Sequence, residues 1–64
     1  MRYYWVVQEL GGNSYFHGPY KTARARNSRY TKVRGGEVFK FNSRFEDIER
    51  AQQEFRDEEV KRLG

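Results

Sequence analysis

Between Lys21 and Arg34 the chain carries Lys21, Arg24, Arg26, Arg29, Lys32 and Arg34 with no acidic residue among them. Asn27, Ser28, Tyr30 and Thr31 interleave amide and hydroxyl donors with these charges. Phosphate oxygens accept hydrogen bonds from this mixture of side chains. Arginine outnumbers lysine here, and its planar fork suits bidentate contact with phosphate or carboxylate. The segment meets the basic-patch criterion for contact with nucleic acid, whether RNA, DNA or a hybrid. It also suits, less well, an acidic protein surface. The plainer alternative is a solvated helix face, or one that pairs with the acidic C-terminal part of the chain.

Little else in the chain could do chemistry. His17 is the single histidine, and no cysteine is present to act as nucleophile, thiolate ligand or disulfide partner. Ser14, Ser28 and Ser43 fall where a turn, a helix surface and a cap would use them. The clusters Glu46-Asp47-Glu49 and Asp57-Glu58-Glu59 read as solvated helix surface rather than a metal-ligand set. Neither Gly11-Gly12 nor Gly35-Gly36 continues into a phosphate-binding loop. These residues therefore predict a binding domain with no catalytic residue, no metal and no cofactor. A small secreted domain usually carries disulfide staples, so their absence favours a reducing compartment, with cytoplasm the expectation. No apolar run approaches the ~18 residues of a membrane span. The segment Met1 to Val7 reads as a strand, not a signal peptide.

The elements that position these residues follow from pattern. Sixty-four residues allow one domain, residues 1–64. Five Phe, five Tyr and Trp5 must supply most of its core. Tyr3 to Leu10 is aromatic and β-branched, as strands are. Alternation sets Tyr3, Trp5 and Val7 on one face and Tyr4, Val6 and Gln8 on the other. Gly11-Gly12-Asn13-Ser14 suits a hairpin turn. Tyr15-Phe16-His17 is a short second strand, which Gly18-Pro19 is expected to end. Thr22 caps a helix from Ala23, whose thin apolar stripe recurs at Ala23, Arg26, Tyr30 and Val33 and whose end is Gly35-Gly36. Glu37 to Phe41 is a third strand. Ser43-Arg44-Phe45-Glu46 reads as a capping box opening a helix from Arg44 to about Arg62. Its apolar half is Phe45, Ile48, Ala51, Phe55, Val60 and Leu63. The predicted fold is α+β: a three-stranded antiparallel sheet with two helices on one face, in the order β-β-α-β-α. One set of aromatics on the first strand would then lie on the open sheet face, ready to stack bases or to anchor a protein. A homodimer through that face would also cover it.

This order of elements resembles the small N-terminal domain of eukaryotic-type ribonuclease H, through Gly36, Phe39, Lys40, Phe41, Ser43 and Glu46, with Tyr4 and Val6 in the first strand and Gly18 and Tyr20 in the second. The spacing from aromatic-lysine to Phe is one residue shorter than in that family. Lys21-Thr22-Ala23 stands where the family has tryptophan, and Asp47 where it has a small residue. The resemblance implies a two-layer α+β fold and binding to RNA–DNA hybrids or double-stranded RNA. Two functions are thus expected. One is a non-catalytic nucleic-acid-binding module whose phosphate contacts are Arg24, Arg26, Arg29, Lys32 and Arg34, with Lys21 and Lys40 at the rim. The other is a small phage-type, anti-CRISPR-like inhibitor or adaptor that binds a host protein or nucleoprotein through Tyr4, Tyr15, Tyr20 and the same arginines.

Overall fold

The computed structural model describes residues 1–63, Leu63 by its backbone alone. Strand β1 (Tyr3–Leu10) and strand β2 (Asn13–Tyr20) are followed by helix α1 (Ala23–Tyr30), strand β3 (Glu37–Ser43) and helix α2 (Ile48–Leu63). The strands form one sheet in the order β2-β1-β3, and both pairings are antiparallel. This is a small α+β fold in the expected β-β-α-β-α order.

Gly11 and Gly12 close the β1–β2 hairpin with φ of 60° and 82°, conformations glycine adopts without a Cβ penalty. Gly18-Pro19 does not end β2. The strand runs on to Tyr20, because it lies at the sheet edge, where a missing N–H breaks no inner ladder. Gly18 and Pro19, joined by a cis peptide bond, lie opposite the single residue Trp5 and form a bulge.

Thr22 caps α1 as predicted: its Oγ1 accepts from the Ala25 N–H at 3.1 Å. The helix stops at Tyr30, short of Val33. Gly35 and Gly36 therefore shape the loop into β3 rather than ending the helix. Buried Gln8 holds that loop to the sheet by donating from Nε2 to the Arg34 and Gly35 carbonyls at 2.9 and 3.1 Å. Helix α2 begins at Ile48, not Arg44, and its cap is Asp47, whose Oδ2 accepts from the Arg50 N–H at 3.1 Å. Ser43 is not free to cap. It is the last residue of β3, paired with Tyr3, and its buried hydroxyl donates to Glu54 at 2.6 Å while accepting from the Phe45 N–H.

The helices lie on opposite faces of the sheet, not both on one. Strands β2 and β3 run parallel with β1 between them, so the chain joining them must cross a face, and α1 forms on that crossing. It packs on the side of Tyr4, Val6, Lys40 and Asn42: the Arg26 guanidinium sits 5.3 Å from the Tyr4 ring centroid, and Lys40 Nζ 4.9 Å from that of Tyr30. Helix α2 covers the other face. There Trp5, Val7, Phe41 and Ala51 form the main core, packed against Phe16, Phe39 and Phe55. The Phe55 ring meets Phe16 and Phe41 edge-on at 5.6 and 5.2 Å. Consequently Trp5, Val6 and Val7 are all buried in the central strand. No open aromatic sheet face remains at its centre. The stripe expected on α2 is only partly used: Ala51 is buried and Phe55 half-buried, but Ile48 and Val60 are exposed, and the Leu63 side chain lies outside the described residues. Among the described residues, no helix is long and apolar enough to cross a membrane.

Candidate functional site

Helix α1 and its flanking loops carry the predicted basic segment. Lys21, Arg24, Arg29, Lys32 and Arg34 are all exposed, on or beside the face that α1 covers. The Arg34 guanidinium folds back and donates to the Thr31 and Val33 carbonyls, where a cation satisfies the groups left open beyond the helix end. Lys40 joins this layer from β3 through its contact with Tyr30.

Arg26 is the exception in the segment. It belongs to the inward stripe and is only 6% exposed, the one buried residue of α1. Its Nη1 donates to Asn42 Oδ1 at 2.9 Å, to the Phe41 carbonyl at 3.1 Å and to the Trp5 carbonyl at 3.4 Å. Its Nε donates to Asn27 Oδ1 at 2.7 Å. Burial lowers its pKa from the ordinary guanidinium value, and Tyr4 offsets part of that shift. Arg26 thus performs the task an apolar residue would perform elsewhere, joining helix to sheet, with its stem as packing and its head as a hydrogen-bond hub.

The three tyrosines face the α1 side by strand alternation, but they are not one cluster. Tyr4 and Tyr20 pair across β1 and β2 and are half-buried, Tyr4 beneath the Arg26 guanidinium. Tyr15 lies near the other end of β2, opposite Gln8, and is 47% exposed. His17 Nε2 lies 3.2 Å from Gln8 Oε1. Gln8 uses its amide nitrogen on the loop carbonyls, so its oxygen is the acceptor and His17 Nε2 carries the proton. The histidine is therefore part of the support for the loop after α1.

Charge separates by layer. Arg24, Arg26, Arg29, Lys32, Arg34 and Lys40 share the α1 side, with Lys21 at its rim, and none of them is in an ion pair among the described residues. The acidic residues lie on α2, in the linker before it, or at Glu9 and Glu37, whose strand positions face α2. The signs meet at one rim, where Lys21 and Glu46 line a groove with Met1, Arg2 and Tyr3. Among the described residues the ion pair is Arg44–Glu54 at 3.0 Å, on the acidic side. The α1-side cations are thus not neutralised by the acidic helix, because the sheet stands between them.

Asn42 escaped the sequence reading, and Asn27 was read only as one of the donors interleaved with the charges. Asn42 and Asn27 both turn their amide oxygens toward Arg26. A signal for Asn42 was present, since alternation along β3 sets Lys40 and Asn42 opposite Phe39 and Phe41. Comparison with known families, with curated proteins and with solved structures finds no match for the chain.

Proposed function

We propose that this domain is a non-catalytic nucleic-acid-binding module that docks the phosphate backbone on its α1 side. The observation that carries the reading is the separation of charge by the sheet. It leaves exposed cations without ion-pair partners among the described residues on one side of an 18 Å-thick molecule. Such a surface attracts a polyanion and releases its counterions on contact. Arg24 and Arg29 on the helix, with Lys21, Lys32 and Arg34 at its ends, are the phosphate contacts, and Lys40 lies beside them. The test is binding of a duplex, a hybrid and a single-stranded oligonucleotide across a salt series. The expected log–log slope on a duplex is about −0.9 per phosphate contacted, hence about −3 to −4 for most of the five exposed cations. A flat salt dependence for all three ligands overturns the reading.

A second reading is an inhibitor or adaptor that presents the same cations to an acidic protein surface. It is favoured by the exposure of Tyr15, a residue type common at interface anchors. A partner that stays bound through nuclease treatment of a pull-down supports it over the first.

A further inference from the structure

Arg26 is a cation buried without a carboxylate partner among the described residues. Isolated buried charges are costly, and they are ordinarily paired. Here its Nε and Nη1 are spent on Asn27, Asn42 and two carbonyl oxygens. Its Nη2 has no hydrogen-bond partner among the described residues. Trp5 Nε1 is the fully buried side-chain polar atom left without a partner among them, so Nη2 is not wholly sealed in. The guanidinium also dictates how both asparagines point. It has no acceptor, so the amide atom turned to it must be oxygen in each case. Each amide nitrogen is thereby left beside the guanidinium as a donor without an acceptor among the described residues. Asn27 and Asn42 are exposed, and neither Nδ2 is engaged within the described chain.

We infer that Arg26 Nη2, with Asn42 Nδ2 and Asn27 Nδ2 beside it, forms an anion-binding site that receives a phosphate of the nucleic-acid backbone and supplies the counter-ion Arg26 lacks. The assignment rests on the nucleic-acid reading above and adds its anchoring point. The site consists of donors only and centres on a cation that the fold holds in place. Arg26 cannot swing away, because Nη1 is pinned to β1 and β3 and the Tyr4 ring lies beneath it. Fixed donors lose less freedom on binding than the exposed lysines and arginines around them. A guanidinium flanked by two amides matches a tetrahedral phosphate, which offers acceptors in more than one direction.

Truncating Arg26 would also break the helix–sheet joint, so the test leaves Arg26 in place. Asn42→Asp supplies an internal carboxylate at Nη1, a counter-ion for the guanidinium. Ser28→Asp makes the same change of charge at an exposed position of α1. The readouts are the NMR signals of the Arg26 Nε–H and of the Asn27 and Asn42 side-chain amides under titration with inorganic phosphate, together with oligonucleotide affinity. Phosphate is expected to shift all three signals in the unaltered protein. N42D is expected to abolish the Arg26 response, to weaken oligonucleotide binding about tenfold or more, and to leave the melting temperature equal or higher. S28D should weaken binding less and keep the response. Arg26 and asparagine signals that stay still while exposed lysines and arginines move overturn the site. Equal losses in N42D and S28D also overturn it. An acidic peptide that shifts the same signals at lower concentration than the oligonucleotide overturns the assignment to phosphate. Shifts with phosphate but no oligonucleotide binding retain the anion site and reject the functional reading. Salt-sensitive oligonucleotide binding with a silent Arg26 does the reverse.

Discussion

Glu54 shows how much one side chain can hold in a chain this short. Its carboxylate accepts from Ser43 Oγ at 2.6 Å, from the Arg44 N–H at 3.2 Å and from Arg44 Nε at 3.0 Å, tying the end of β3 to the middle of α2. Burial alone would raise its pKa, but the hydrogen bonds from Ser43 and Arg44 and the charge of Arg44 outweigh it and hold the carboxyl below its ordinary value of 4.5. The unfolded chain therefore takes up a proton at Glu54 before the folded one does. The stabilisation is complete above the ordinary carboxylate range and is lost as pH falls through the lowered folded value. Glu9 works in the opposite sense, since burial and the neighbouring Glu59 raise its pKa. Glu54→Gln is expected to flatten the acid limb of a stability–pH profile, measured by urea unfolding from neutral to acid pH, and to lower stability most at neutral pH. A profile with an unchanged acid limb would remove Glu54 from this role. Sequence reading missed the residue because a Ser-x-x-Glu spacing pointed to Glu46, whereas Ser43 bonds to a glutamate eleven residues on. That pairing exists only once α2 has folded back against β3.

The loop between α1 and β3 depends on Gly36. Its φ is 62°, and a Cβ there would collide with the Glu9 backbone oxygen. Gly35, at φ 109°, stands against Gln8 and Leu10. Gly36→Ala is expected to destabilise the domain by roughly 2 kcal/mol or more, because backbone rather than a flexible side chain must give way. Gly12→Ala meets open space at φ 82° and should cost less, so the two urea midpoints should differ clearly. Equal midpoints would count against the collision. At this scale the sequence was informative about which elements exist and less so about where they stop. Thr22 was legible as a cap because N-capping is a local bond across three residues. The extension of β2 through Pro19 was not, because it needs an edge position and a bulge opposite Trp5. The start of α2 at Ile48, capped by Asp47, was hidden because both Ser43 and Asp47 satisfy the local rule, and β3 claims the serine.

Across the whole molecule the sheet acts as a divider, with a basic α1 side and an acidic α2 side. Reversing two α1-side charges, Arg24→Glu with Lys32→Glu, is expected to abolish oligonucleotide binding at moderate salt and to make the salt slope shallower by about 2. Reversing Arg56 and Lys61 on α2 changes the net charge equally and should leave most of the binding. Equal losses would mean that net charge, not the α1 surface, governs association. The uneven charge of the chain was visible in its residues: eight basic and two acidic side chains precede Phe41, and five basic and seven acidic ones follow from it. The strands, the helices, their order and the inward stripe of α1 were also written locally, in alternation, caps and glycines. The placement of helices on opposite faces was not. Both Tyr4 with Val6 and Trp5 with Val7 look like core on a strand, and sequence alone could not cover both faces or choose between them. Tertiary packing settled it by covering both, and that decided the fate of Arg26. Its inward position in the stripe and its place in the basic run are both encoded by sequence. Only the meeting of α1 with β1 and β3, where carbonyls and an asparagine stand ready to accept, decides that a guanidinium can be buried there, and which of its nitrogens is left without a partner among the described residues.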